Sequence, residues 1–198
     1  MTPLPLLIWD IDDVLNDLMS LFCSTVAQRV RPGITAEELL TENPPLAKLG
    51  CPLDEYRALL DECRAKFLFR SLPREEVRTF LRVRGRNFRS LALSSCPMDT
   101  APRSAEWVLR HFGLWIQGVI FVPSPRKKID IGSYLYRSKA EAVAELGGIL
   151  IDDAPINVEA VRKAGGRALY FPAPWNENRD MGYDGFFDLL LKETGVQK

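Results

Sequence analysis

The chain has a single histidine, four cysteines without a Cys-x-x-Cys pair, and an exact balance of charge. Each scarcity removes a class of protein. His111 closes the helical run Val108 to Gly113, where it suits the negative end of a helix dipole. A histidine-based triad has little to work with. Cys23, Cys51, Cys63 and Cys96 are too scattered for a zinc finger or a disulfide framework and read as plain thiols. No apolar run approaches the ~18 residues that a membrane span needs, and no basic segment precedes a long apolar stretch at the start. The expectation is a cytoplasmic protein with no membrane partner. The 26 basic and 26 acidic residues form no long block of either sign, which argues against nucleic acid as a partner. Internal repeats and low-complexity tracts are missing too. What remains is a globular chain of 198 residues, 46% hydrophobic, enough for one core of ordinary size and a small second lobe.

The order of elements gives the fold class. Leu4 to Trp9 is a short apolar run, with Pro3 and Pro5 opposing a helix, and reads as a buried strand. Further apolar runs begin near 90, 118, 149 and 167, each stopped by polar residues, proline or glycine. Helices of about ten residues lie between them: Arg103 to Phe112, Ser138 to Leu146, and Asn157 to Lys163. Another begins near Pro73, which suits its first turn, and runs to about Arg84, and a last one passes through Phe186, Phe187, Leu190 and Leu191. Strands alternating with helices imply right-handed crossovers, hence an α/β, three-layer Rossmann-like core with a five-stranded parallel sheet. Residues 16–72 break this rhythm. Leu18, Leu21, Phe22 and Val26, then Tyr56, Leu59, Leu60, Cys63 and Phe67, recur at helical spacing, and Thr35 to Glu38 reads as a capped helix start. The segment is too long for a structureless loop. It is expected to be an α-helical lobe inserted after the first strand, dividing the chain into a core of 1–15 plus 73–198 and a lobe of 16–72.

Polar residues gather where the strands end. The first strand runs into Asp10, Asp12 and Asp13, the second into Ser94 and Ser95, the fourth into Asp152 and Asp153. Lys139 opens the helix that leads into the fourth strand. In an open parallel sheet the C-terminal edge is where ligands bind. An Asp-x-Asp alone often does no more than make a turn or cap a helix. Acids this close repel by about 4 kcal/mol per pair at 4 Å and an effective dielectric near 20, so a cation is expected, Mg²⁺ by preference for its oxygen ligands.

In order and type these features resemble the haloacid dehalogenase superfamily of phosphohydrolases. Asp10-Ile11-Asp12-Asp13-Val14-Leu15 is similar to its first motif, and Leu91-Ala92-Leu93-Ser94 to its second. Ser138-Lys139-Ala140-Glu141-Ala142 resembles its third, and Ile149-Leu150-Ile151-Asp152-Asp153 its fourth. Asp13 and Val14 stand where Gly-Thr is common, and Asp13 reads as a turn residue at the hinge of the lobe. The lobe lies where the family places its first type of cap.

The resemblance implies Asp10 as the nucleophile and Asp12 as the acid and base for the leaving oxygen and water. It implies Mg²⁺ on Asp10, the backbone carbonyl of Asp12, and Asp152, with Asp153 a ligand through water or an orienter of Lys139. Ser94 and Lys139 would hold the phosphoryl oxygens, with Lys127 and Lys128 as alternatives to Lys139. Asn16, Ser95 and Lys128 are candidate substrate contacts, with Asp17, Phe22, Tyr56, Arg57, Lys66, Arg70, Trp175 and Asn176 as further candidates near the mouth. The substrate expected is a small phosphorylated metabolite of the nucleotide or sugar-phosphate class. A phosphomutase, a response-regulator-like receiver and a non-catalytic protein of the same fold are the competing readings. Oligomeric state is left open.

Overall fold

The computed structural model describes residues 3–124 and 133–197. Five strands, β1 (Leu6–Trp9), β2 (Arg89–Ser94), β3 (Ile116–Phe121), β4 (Ile149–Asp152) and β5 (Arg167–Tyr170), form one sheet in the order β3-β2-β1-β4-β5. Every pairing is parallel. The order turns at β1, whose neighbours are β2 and β4, so the crevice beyond that pair of strand ends is the switch point where such sheets bind ligands. Trp9 lies opposite Ile151, and the next residue, Asp10, continues the ladder by donating its N–H to the Ile151 carbonyl at 2.9 Å.

Between β1 and the core helices lies the helical segment. It comprises α1 (Leu18–Phe22), a π turn (Cys23–Ala27), α2 (Gln28–Val30), α3 (Ala36–Leu39), α4 (Leu46–Leu49) and α5 (Leu53–Phe67). The core helices are α6 (Glu75–Arg84), α7 (Ala101–Phe112), α8 (Lys139–Leu146), α9 (Pro155–Lys163) and α10 (Tyr183–Thr194).

The strand alternation explains the layers. Leu7 and Trp9 of β1, Ala92 of β2 and Ile151 of β4 pack with Val77, Phe80 and Leu81 of α6, Trp107 and Phe112 of α7, and Phe186 and Leu190 of α10. The intervening residues Leu6, Ile8, Leu93 and Leu150 face the other way, against Ala142 and Val143 of α8 and Val158 and Val161 of α9. Successive side chains of a strand point to opposite faces, so a sheet buried on both sides needs the near-continuous apolar runs the sequence shows.

The helical segment has an apolar cluster of its own. Leu18, Met19, Phe22 and Val26 meet Tyr56, Leu60 and Cys63 of α5, the stripe expected from the periodicity. The capping box predicted at Thr35 and Glu38 is present. Pro73 is not in the first turn of α6, which begins two residues later. It instead forms an antiparallel bridge with Asn16, so the chain leaving the core and the chain returning to it run side by side.

Candidate active site

Three carboxylates meet at the switch point. Asp10 follows β1, Asp152 ends β4, and Asp153 follows it; one oxygen of each lies within 4.8 Å of the others, and all three residues are buried. Lys139, the first residue of α8 and only 5% exposed, sends its ammonium between two of them. Its Nζ is 2.7 Å from Asp10 Oδ1 and 2.7 Å from Asp152 Oδ2. Ser138 caps α8 by accepting the Glu141 N–H, which fixes the helix start and so aims the lysine at the strand ends. Burial pushes the Lys139 ammonium towards lower pKa, but the Asp10 and Asp152 charges outweigh it and hold the group above the ordinary lysine value. Lys127 and Lys128 lie outside the described residues.

The carboxylates are set by a further layer of donors. Asp152 accepts Ala154 N–H at 2.9 Å and both its oxygens accept Asn157 Nδ2 at 3.0 Å. Trp175 Nε1 donates to Asp153 Oδ2 at 2.8 Å, and Asn176 donates to the Asp153 carbonyl. Trp175 and Asn176, expected at the mouth, therefore serve as supports for Asp153. Burial raises the Asp10 carboxyl from 3.8 to about 7, with Lys139 opposing and Asp152 and Asp12 adding. Asp153 is raised as well, by burial first and then by Asp13, Asp152 and Asp10. One ammonium does not balance this cluster.

The donor set fits a hard divalent cation. All three groups are carboxylates, the preferred chemistry for Mg²⁺. Lys139 engages Asp10 through Oδ1 and Trp175 engages Asp153 through Oδ2, one oxygen of each carboxylate. The carboxylate of Asp12 is not part of this trio, and that of Asp153 is.

Asp12 is turned to a different partner. Its Oδ2 takes Arg64 Nε at 2.8 Å and Arg64 Nη2 at 2.7 Å, and its Oδ1 takes Asn16 Nδ2 at 3.3 Å. Arg64 comes from α5 and is 2% exposed. It passed unnoticed in the sequence, yet there was a signal: it falls one turn after Leu60, inside an apolar stripe where a solvated arginine has no place.

The turn after β1 is built around Asp13, whose φ of +62° is left-handed. Glycine enters that region freely and aspartate is among the few other residues that tolerate it. This accounts for aspartate at a position where the resembling family often has glycine. Asp13 Oδ1 accepts the Met19 N–H at 2.9 Å, tying the turn to α1, and the Asp13 carbonyl accepts Arg74 Nη2. Asp13 is thus a turn residue tied to α1, outside the carboxylate trio. Asn16, a candidate substrate contact, is corrected by the structure: it is fully buried, and its amide is used within the turn, on Asp12 and on the Asp13 N–H.

Asp10, Asp12, Ser94, Ser95, Lys139 and Asp153 line one cavity of about 340 Å³. Ser94, at the end of β2, is buried, and its Oγ accepts the Cys96 N–H at 3.3 Å. The opposite wall comes from the helical segment: Leu18, Met19, Leu53, Tyr56, Arg57, Leu60 and Arg64. Of the other side chains expected at the mouth, Phe22 is packed in the lobe, and Asp17, Lys66 and Arg70 do not line the cavity.

No family model matches the chain, and no curated protein matches it by sequence. Solved structures do. A predicted phosphatase from Clostridium acetobutylicum superposes with a TM-score of 0.63 at 14% identity, covering 96% of this chain and 100% of the other. A haloacid dehalogenase-like family hydrolase from Streptococcus pneumoniae gives 0.59 at 15% identity, covering 98% and 100%. A subfamily IA hydrolase of the same superfamily from Geobacter sulfurreducens gives 0.54 at 15%, covering 94% and 96%. The chain shares the α/β fold of these structures, a five-stranded parallel sheet with helices on both faces.

Proposed function

We propose that the protein is a Mg²⁺-dependent phosphatase of small phosphomonoesters, acting through a phosphorylated Asp10. The observation that supports it is Lys139, bracketed by Asp10 and Asp152 at 2.7 Å each, in the lining of a cavity that Asp12 and Ser94 also line. Asp10 and Asp152, with Asp153, would hold Mg²⁺, which when bound offsets negative charge between the nucleophile and a dianionic phosphate.

The remaining chemistry belongs to the chain. Asp10 Oδ attacks phosphorus in line, the P–O bond to the leaving group breaks, and the leaving oxygen takes a proton from Asp12. Asp12 then accepts a proton from water as that water attacks phosphorus, which releases inorganic phosphate and restores Asp10. Ser94 Oγ and Lys139 Nζ hold the phosphoryl oxygens, and Lys139 balances the charge of the transition state. Within the nucleotide and sugar-phosphate classes, the wall of Leu18, Met19, Leu53, Tyr56 and Leu60 favours a leaving group with an apolar face, such as a nucleoside, over a polyol.

The test is phosphate release from p-nitrophenyl phosphate, then from a panel of nucleoside monophosphates and sugar phosphates, with Mg²⁺ and with EDTA. Turnover that needs Mg²⁺ and is lost in Asp10→Asn is expected. Activity that persists in Asp10→Asn overturns the nucleophile, and failure across the whole panel overturns the phosphatase. Isomerised sugar phosphate without net phosphate release would identify a mutase instead.

A further inference from the structure

Arg64 carries charge from the helical segment to Asp12, the acid two residues after the proposed nucleophile. It is buried, and its three nitrogens are all engaged: Nε and Nη2 on Asp12 Oδ2, and Nη1 on Asp61 Oδ1 at 3.0 Å, one turn earlier on α5. Asp61 holds one side of the guanidinium plane while the other side grips Asp12. The opposing carboxylate oxygen is held by Asn16 at 3.3 Å. Asp12 is therefore clamped between a residue of its own turn and a residue of α5. Two guanidinium nitrogens converge on one carboxylate oxygen and the Asn16 amide takes the other, so both oxygens are held.

We propose that Arg64 is a positioning residue: it orients the Asp12 carboxylate towards the leaving oxygen, and does so only while α5 lies across the sheet edge. The proposal rests on the phosphatase reading, with Asp12 as the leaving-group acid. Proton donation is thereby coupled to the seating of the helical segment. The Arg64 guanidinium and the Asp12 carboxylate are displaced from each other whenever the segment swings out, and the acid then loses its orientation before water can exploit the open site. The seam carries one more polar tie near α5, from Arg103 Nη1 of α7 to the Ala65 carbonyl at 2.6 Å, but that contact is exposed and touches no reacting group.

Leaving-group dependence separates positioning from mere structural support. A p-nitrophenolate departs without a proton, whereas an alkoxide needs one, so loss of a leaving-group acid falls on alkyl phosphates. Arg64→Lys and Arg64→Met are expected to lower kcat/KM, which reports the steps up to departure of the leaving group and not the later attack of water, by about 10²-fold on an alkyl phosphate, the lower end of what a general acid contributes, while kcat/KM on p-nitrophenyl phosphate changes by less than about threefold. Asp12→Asn should show the same pattern, and Asp12→Asn with Arg64→Lys should be no worse than Asp12→Asn alone, because groups that act as one unit are not additive. Equal losses on both esters, or additive losses in the double variant, overturn the proposal.

A second readout does not use activity. In the metal-free protein, amide hydrogen exchange through residues 13–19 and 71–74 should quicken to the same degree in Arg64→Lys and Asp12→Asn. Unchanged exchange in both overturns the coupling to the segment. If Arg64→Met does not fold, Arg64→Lys, which keeps the charge, carries the comparison. Should Asp12→Asn give the leaving-group signature and Arg64→Lys not, the phosphatase stands and the role of Arg64 falls; should the wild type be inactive on both esters, both fall.

Discussion

Lys139 and Arg64 are both buried cations facing the same cavity, but they are anchored in opposite ways. Lys139 has both partners, Asp10 and Asp152, on the edge of the sheet. Arg64 has one partner, Asp61, on its own helix and the other, Asp12, in the core turn. Any movement of the helical segment leaves the lysine in place and pulls the arginine away. On the proposed roles, the charge that would meet the phosphoryl group is fixed on the sheet edge, and the charge that would set the leaving-group acid depends on where the helical segment sits. A site that must admit substrate and then close has a use for both kinds.

The comparison breaks most sharply at the nucleophile. Asp10→Asn should abolish phosphate release, by ~10⁴-fold or more as expected for loss of a covalent nucleophile. The fall should be the same on aryl and alkyl esters, which distinguishes it from the ester-dependent losses expected at Arg64. A loss confined to alkyl esters would move Asp10 to the acid side of the mechanism.

Lys139→Ala comes next. On the proposed role its kcat/KM should fall by about 10²–10³-fold on either ester, the size of losing one preorganised donor to a developing charge. It should also cost about 3–5 kcal/mol in the metal-free protein, because the change leaves Asp10 and Asp152 buried without their counter-ion. Urea unfolding with and without Mg²⁺ measures this. A variant as stable as wild type without metal would mean that the acids are not held together by the lysine.

These differences mark what could be read from the chain and what could not. The sheet was legible because each strand is a short apolar run with a polar stop, and a parallel sheet buried on both faces demands that pattern. Asp10, Ser94, Lys139 and Asp152 were legible because strand ends share one edge, so sequence order translates into proximity. Arg64 was legible at most as a charge on the apolar stripe of α5; its partner Asp12 was not, since contacts between the inserted segment and the core depend on how the two pack, which no local spacing encodes. Asn16 failed for the same reason in reverse. It stands beside the acids in the sequence, but a turn that reverses direction aims its amide inward. Trp175 looked like a rim residue and is a hydrogen-bond donor to Asp153, a role visible only once β5 is seen to lie beside β4.

The sheet-edge cluster should also reveal itself through pH. Burial raises Asp10 and Asp13 from 3.8 to about 7 in the folded protein, so the folded state keeps protons that the unfolded chain has released. These groups therefore favour folding below about pH 4, and that contribution is lost as pH rises through about 7. In EDTA the melting temperature should drop between pH 5 and pH 8 by several degrees, a few kcal/mol for a chain of this size. Mg²⁺ binds the ionised acids, so its stabilisation should be larger at pH 8 than at pH 5. Equal stabilisation at the two pH values would separate the cation from the acid trio.

The smallest effects are expected at the hinge, where Asp13 links the turn to α1. Its left-handed backbone suits glycine, asparagine and aspartate, and its Oδ1 accepts the Met19 N–H. The buried charge itself works against folding: burial raises this carboxyl, and the Met19 N–H only partly opposes the rise. Asp13→Asn keeps an acceptor oxygen and the backbone tolerance while removing the charge. At pH 8 and without metal it should change stability by less than about 0.5 kcal/mol, or increase it. Asp13→Ala loses the acceptor and leaves a buried N–H unpaired, at a cost of about 1–3 kcal/mol. Asp13→Gly loses the same bond but relieves the left-handed strain, and should fall between the two. Urea unfolding of the three variants ranks them directly. If Asn proved as costly as Ala, the negative charge would be what holds α1 to the turn, and the hinge would join Arg64 as an electrostatic tie between the helical segment and the core.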